Sequence, residues 1–184
     1  TILNNETKQL SLFNVEKVKV QKKFKCFQTY SSNSEDKRNV DITLTFKNEK
    51  ANGMGMPLPA GSISMYKTRN KTAELIGEDF IEHTPKDEEV ELKIGKAFDI
   101  LYTDVLALSS KKGERTFLDQ YLLEFFNHSD KDVEIEVNRW AQGDWSISDA
   151  NFPYAKKDAH NIIFKVMVPA NKTAQLKYSI YYTY

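Results

Sequence analysis

Three histidines, one cysteine and a few acids in turns are what this sequence offers toward acid–base, nucleophilic or metal chemistry. His83, His128 and His160 lie in three separate polar turns, and their spacing suits no metal ligand set. His83 is the best placed of them, because Asp79, Glu82, Asp87 and Glu88 surround it in sequence. Such a set could hold a hard cation or exchange a proton. A His-Thr-Pro turn flanked by charges is also the composition of a solvated hairpin tip, and we adopt that reading. Nucleophile motifs are missing: Gly61-Ser62-Ile63-Ser64 lacks the second glycine of a nucleophile elbow. Gly53-x-Gly55 lacks the third glycine and the helix of a phosphate loop. Cys26 has no second cysteine for an internal disulfide and reads as a small buried hydrophobe, which leaves the redox compartment open. No catalytic, metal or cofactor residue is assigned, and a non-enzyme is expected.

Flat rings pack against sugar faces, so the aromatic set Phe117, Tyr121, Phe125, Phe126, Trp140, Trp145, Phe152 and Tyr154 raises a second reading. In it the aromatics between Trp140 and Tyr154 form a carbohydrate-binding platform. In a β-sandwich most such rings are core, so this reading stands as the alternative. His83, Asp79, Trp140 and Trp145 are the interaction candidates. Asn-x-Ser/Thr triplets at Asn5, Asn70, Asn127 and Asn171 fall in or beside expected turns and matter only if the chain is glycosylated.

The elements that must position these residues follow from composition and period. The 184 residues are 40% hydrophobic and 12% aromatic, enough to bury a sizeable core. Lysine plus arginine and aspartate plus glutamate balance at 26 each, so no net field draws the chain to nucleic acid or anionic lipid. No apolar run approaches the roughly 20 residues of a membrane helix. Because the chain begins at Thr1 and not at an initiator Met, we expect it to have been processed or cut from something longer.

Residues 48–100 hold most of the punctuation, Gly53, Gly55, Pro57, Pro59 and Gly61. Two prolines remove amide donors and push Leu58 to extended angles, so this stretch is a shaped loop feeding a strand. Strands are expected at 9–13 and 15–27, the latter with Val18, Val20, Phe24 and Cys26 on one face. Val40, Ile42, Leu44 and Phe46 alternate with polar residues, and a hairpin follows with its turn at 68–72. Val90, Leu92 and Ile94 form a strand that Gly95 ends. From Phe98 the pattern restarts, with strands at 100–110, 115–127 and 133–141, the last two expected to pair, then a short one at 145–148. An irregular stretch at 149–161 precedes Ile162, Phe164, Val166 and Val168. The final strand sets Leu176, Tyr178, Ile180, Tyr182 and Tyr184 on one side, with Tyr181 opposite and more exposed; it is expected to pair within a sheet.

Turn signals recur about every ten residues and no helical period is sustained, so the chain is expected to be all-β, an antiparallel β-sandwich of two packed lobes. Residues 1–98 would form an N-terminal lobe carrying the Gly/Pro loop, and 99–184 an immunoglobulin-like sandwich. Gly53, Gly55 or Gly61 should hold positions that alanine adopts only at a cost.

The phrases Gly53-Met54-Gly55-Met56-Pro57-Leu58-Pro59-Ala60-Gly61, Gly77-Glu78-Asp79, His83-Thr84-Pro85, Glu88-Glu89-Val90 and Gly95-Lys96-Ala97-Phe98-Asp99 form a set. Together they resemble the C-terminal domain of unknown function of mucoidy inhibitor A-like proteins, most specifically over residues 40–100. The resemblance is weaker beyond, through Asn127, Gly143-Asp144-Trp145 and the turn at 169–173. It implies an all-β C-terminal module of a larger protein, preceded by another small domain and a helical segment, in an envelope-associated or secreted setting. It supplies no catalytic residues. The expected function is a non-enzymatic structural or protein-interaction module that contacts another protein or itself.

Overall fold

A computed structural model describes residues 11, 13–15, 17–29 and 31–183. Among these the chain is nearly all strand, with one 3-10 turn, Lys50–Asn52, and no α-helix. The strands are β1 (Gln21–Gln28), β2 (Ser34–Lys47), β3 (Gly61–Arg69), β4 (Thr72–Ile81), β5 (Glu89–Lys111), β6 (Thr116–Asn127), β7 (Val133–Trp140), β8 (Asp144–Ser148), β9 (Tyr154–Lys156), β10 (Asn161–Val168) and β11 (Thr173–Thr183). Nine of them make one sheet in the order β8-β11-β6-β5-β2-β1-β7-β10-β9, antiparallel throughout except for the parallel pair β1–β7. The sheet curls over on itself. Phe164 on β10 stacks at 4.7 Å on Tyr178 of β11, although the two strands are far apart in sheet order. Between the two layers the alternating residues Leu123 and Phe125 of β6, Ile135 and Val137 of β7 and Leu176 of β11 are fully buried.

β3 and β4 form a separate two-stranded sheet. Their turn is Asn70-Lys71, both at positive φ, the backbone that matches the twist of a two-residue hairpin. The hairpin lies over the end of β2 and the start of β5, burying a second cluster of Leu58, Met65, Ile81, Val90 and Leu92. β4 approaches β5 closely at Gly77, where an added Cβ would stand 2.7 Å from the Ile94 carbonyl oxygen. Two residues on, the Asp79 carboxylate accepts from the backbone N–H of Phe80 at 2.9 Å and of Lys93 at 2.6 Å, fastening hairpin to sheet.

Several expectations are corrected. Residues 17–20 are not strand, and Val20 is exposed; their peptide groups are drawn to the Asn52 side chain, whose Oδ1 accepts from Lys19 N–H at 2.7 Å and whose Nδ2 donates to Lys19 O at 3.2 Å. Residues 9, 10 and 12 of the strand expected at 9–13 lie outside the described residues, as do Tyr184 and Asn5. β7 pairs with β10 and β1 and not with β6, because β5 and β11 already occupy both edges of β6. Gly95 does not end a strand: it lies inside the 23-residue β5, which runs on to Lys111. The reset that places a boundary at 98/99 therefore falls inside β5, and β1 and β2 of the first half stand between β5 and β7 of the second. The stretch 149–161 contains β9. The final strand pairs on both sides, with β6 and β8; Leu176, Tyr178 and Ile180 are buried and Tyr181 is exposed.

A polar network crosses the core of the large sheet. Tyr178 Oη donates to Gln28 Oε1, and Gln28 Nε2 donates to Asp104 Oδ1 at 2.7 Å, all three side chains buried. Arg38 lies 3.6 Å from the other Asp104 oxygen, while buried Arg139 reaches the Thr29 carbonyl and, at 3.2 Å, the Tyr121 hydroxyl. Burial pushes the Asp104 carboxyl above its ordinary range, opposed by the Gln28 hydrogen bond and the Arg38 charge. Burial likewise pushes the Cys26 thiol well up, which leaves little thiolate for reaction.

Two predictions follow from these contacts. Gly77→Ala should lower the unfolding free energy by about 1–3 kcal/mol, because the clash is with backbone and the hairpin must move. Gly61→Ala, where an added Cβ meets nothing within 4 Å, should change it by less than about 0.5 kcal/mol in the same urea titration. Equal effects would refute the docking geometry. For Asp104, the folded state binds the proton more tightly than the unfolded state, so this group's contribution to stability falls as pH rises through the raised value. Asp104→Asn should therefore gain stability relative to wild type as pH rises above the ordinary aspartate value of about 4; parallel pH–stability curves would count against it.

Candidate functional site

The loop before β3 owes its shape to two glycines. Gly53 and Gly55 have φ of 76° and 92°, and added Cβ atoms would stand 2.7 Å from Lys17 O and 2.8 Å from the Lys50 backbone nitrogen. Gly61, grouped with them on sequence, has neither constraint. Beyond the glycines, Leu58 and Thr84 exchange backbone hydrogen bonds at 2.9 and 3.0 Å. This isolated bridge extends the β3–β4 pairing past a break. At the break the Ala60 N–H is accepted by His83 Nδ1 at 3.2 Å, while the Glu82 carbonyl accepts from Thr84 Oγ1 at 2.9 Å. The His-Thr side chains thus replace a missing rung of the ladder. With Nδ1 accepting, the hydrogen of the neutral ring sits on Nε2.

Extended backbone at the bridge sends neighbouring side chains to opposite faces. Leu58 is buried in the second cluster, while Pro57 and Pro59 beside it, and His83 and Pro85 across from them, are exposed. These four, with Phe13 and Lys86, line an apolar groove of about 700 Å³. Residues flanking a doubly bonded pair turn their backbone groups away from each other. Pro57, Pro59 and Pro85 have no N–H to show there, so the groove is read through side chains and not by adding a strand.

One side chain holds both walls. Asn48, fully buried at the end of β2, donates through Nδ2 to Met56 O at 2.7 Å and Pro85 O at 2.9 Å, and accepts from Gly55 N–H at 3.0 Å through Oδ1. Its backbone is bonded to Glu88 O and to Asp87 N–H, the latter residue at φ 69°. Sequence reasoning passed over Asn48; its place between a strand of strict alternation and a glycine-rich loop was the available signal.

Of the four candidates, His83 lines the groove, while the Asp79 carboxylate is engaged by the Phe80 and Lys93 amides. Trp140 and Trp145 are brought to the other end of the molecule by the segment at 156–160. Trp145 Nε1 donates to Ala159 O at 2.6 Å, Trp140 stacks on His160 at 6.0 Å, and Lys156 Nζ lies 4.7 Å over the Trp145 ring. Each tryptophan therefore has a ring face covered from within the chain. Asn127 is buried, its amide donating to the carbonyls of Lys131, Val168 and Pro169, which removes it as a glycosylation acceptor. Among the described residues no three His, Cys, Asp or Glu side chains group as a metal site, and no helix is long and apolar enough to cross a membrane.

No protein-family model and no curated protein matches the chain. Among solved structures it is similar to the yeast delta-COP-I mu-homology domain, with TM-score 0.31 and 9% identity, covering 92% of this chain and 77% of that one. So distant a likeness adds nothing to the reading of the groove.

The Asn48 clamp is directly testable. Asn48→Ala leaves two carbonyls and one amide without their partner and should cost about 2–4 kcal/mol in chemical unfolding. Amide exchange at Gly55 should accelerate well beyond that of the strands. An unchanged exchange rate at Gly55 would show that the groove is held by something else.

Proposed function

We propose that this chain is a non-enzymatic protein-interaction module whose docking surface is the groove between Pro57-Leu58-Pro59 and His83-Thr84-Pro85. The observation that carries this is a preformed apolar concavity, rigid through Asn48 and three prolines, on a face where exposed apolar groups gain by being covered. Its occupant is an extended apolar peptide segment of another protein with a carboxylate beside it. Lys86 makes no ion pair among the described residues and stands on the rim to meet that carboxylate, and His83 Nε2–H is a second donor. The same phrases that resemble mucoidy inhibitor A-like proteins build this region, which supports reading the chain as a C-terminal module of a larger protein of that family. The covered ring faces of Trp140 and Trp145 give the carbohydrate alternative no support.

Selection of a random displayed peptide library on the purified chain tests the proposal. Apolar peptides with an adjacent acid should be enriched, and Pro59→Asp should weaken their binding about tenfold or more. Lys86→Glu should weaken mainly those carrying the acid. Peptides that bind Pro59→Asp as well as wild type would place the docking surface elsewhere, and turnover of a substrate abolished by a single loop substitution would overturn the non-enzymatic reading.

A further inference from the structure

A second surface lies where β5 passes from one core to the other, and it is independent of the groove. Through Ile94 the strand is covered by β4, and from Ile100 onward it is paired with β6. Between them the partners thin out. The β2 register is interrupted between Asp41↔Lys96 and Asn39↔Leu101, and the Ala97 carbonyl is taken by the Asn39 side chain at 2.6 Å. The result is a cleft of about 580 Å³ floored by Ile42, Ile76, Ile94 and Ala97, with Lys96, Phe98 and Asp99 at its rim. Phe98 is 95% exposed, the most exposed of the large hydrophobic side chains described. Among the described residues nothing covers this phenyl ring, which stands in water beside an open apolar cleft.

We infer that this face pairs with a second copy of the chain, Phe98 of each copy entering the Ile42–Ile76–Ile94 cleft of the other. Knob and socket share one surface, so a single two-fold axis engages both at once, the requirement of an isologous contact. The charges agree with that symmetry. Lys96 and Asp99 flank Phe98 with opposite sign, and neither has an ion pair among the described residues. A two-fold axis through the patch sets Lys96 of each copy against Asp99 of the other. Lysine plus arginine equals aspartate plus glutamate at 26 each, so no net charge opposes association.

Sedimentation equilibrium over micromolar to millimolar concentrations tests the inference. Wild type should show a concentration-dependent dimer, and Phe98→Ser should raise its dissociation constant about tenfold or more without moving the unfolding midpoint at concentrations where wild type is monomeric, since the side chain is exposed. Lys96→Glu and Asp99→Lys should each weaken the dimer, and the double variant should recover it. That recovery is what a nonspecific apolar contact would not give. A chain monomeric at every concentration, a dimer indifferent to Phe98→Ser, or a double variant no better than either single one would each overturn the proposal.

Discussion

Strand β5 must satisfy backbone hydrogen bonds over 23 residues while serving two separate cores, and most of the architecture follows from that constraint. Its first part presents Val90 and Leu92 to the cluster beneath the hairpin, and its later part presents Ile100 and Tyr102 to the large sheet's core. A strand with strict two-residue alternation that runs straight cannot aim its side chains at both. The change is made at Gly95, whose φ of 155° L side chains rarely adopt, and in the interrupted register with β2 opposite it. The irregularity leaves Lys96 and Phe98 exposed on either side of buried Ala97. Cleft and shared strand have one cause.

Buried neutral amides do much of the remaining joining. Gln28 links β1 to β5 and β11 through the core, Asn48 ties the end of β2 to the loop and the His-Thr-Pro turn, and Asn127 ties the end of β6 to the turns at 128–132 and 168–170. An amide donates and accepts at once and carries no charge to desolvate, so it can close two loops onto one point where an aspartate or lysine would carry a desolvation penalty. Asp104 shows that penalty: burial raises its carboxyl even with Gln28 and Arg38 holding it down. Lys25 of β1 shows the other solution, a buried amine shared between Glu136 of the adjacent β7 and Glu91 of β5, on the far side of β2.

Alternation is a local property, and what depends on it was legible in the sequence. The buried faces of β7, β10 and β11 and the hairpin β3–β4 agree with the period-two reading, and Asn70-Lys71 lies within the turn expected at 68–72; β2 departs from it, because Thr43 and Thr45 of its expected polar face are buried while Ile42, Leu44 and Phe46 are half-buried. Pairing partners are settled elsewhere, by which sheet edges remain unfilled when a strand arrives. That is why β7 sits beside β1 in parallel rather than beside β6, its neighbour in sequence. Nothing in residues 133–140 distinguishes the two outcomes. The groove was half legible: prolines and His83 marked the place, while Asn48, which fixes its walls, is an ordinary polar residue until its three partners are in view.

How this chain meets others is narrowed by how its edges are closed. The large sheet ends in β8 and β9, of five and three residues, too short to template much pairing. β3 is longer and among the described residues pairs only with β4, yet it carries Lys67 and Arg69 at one end and leads from Pro57 and Pro59 at the other. Charge and proline at the two ends of an edge are what keep such strands from adding to neighbours. With backbone recognition blunted and net charge at zero, affinity has to come from side-chain surfaces, and the hairpin borders both apolar concavities described, the proline groove beyond its open end and the Phe98 cleft where Ile76 meets β5. A hairpin held to the sheet by Asp79 and the close approach at Gly77 fixes the shape of those two surfaces, so the order that docking on them would require is already present in the fold.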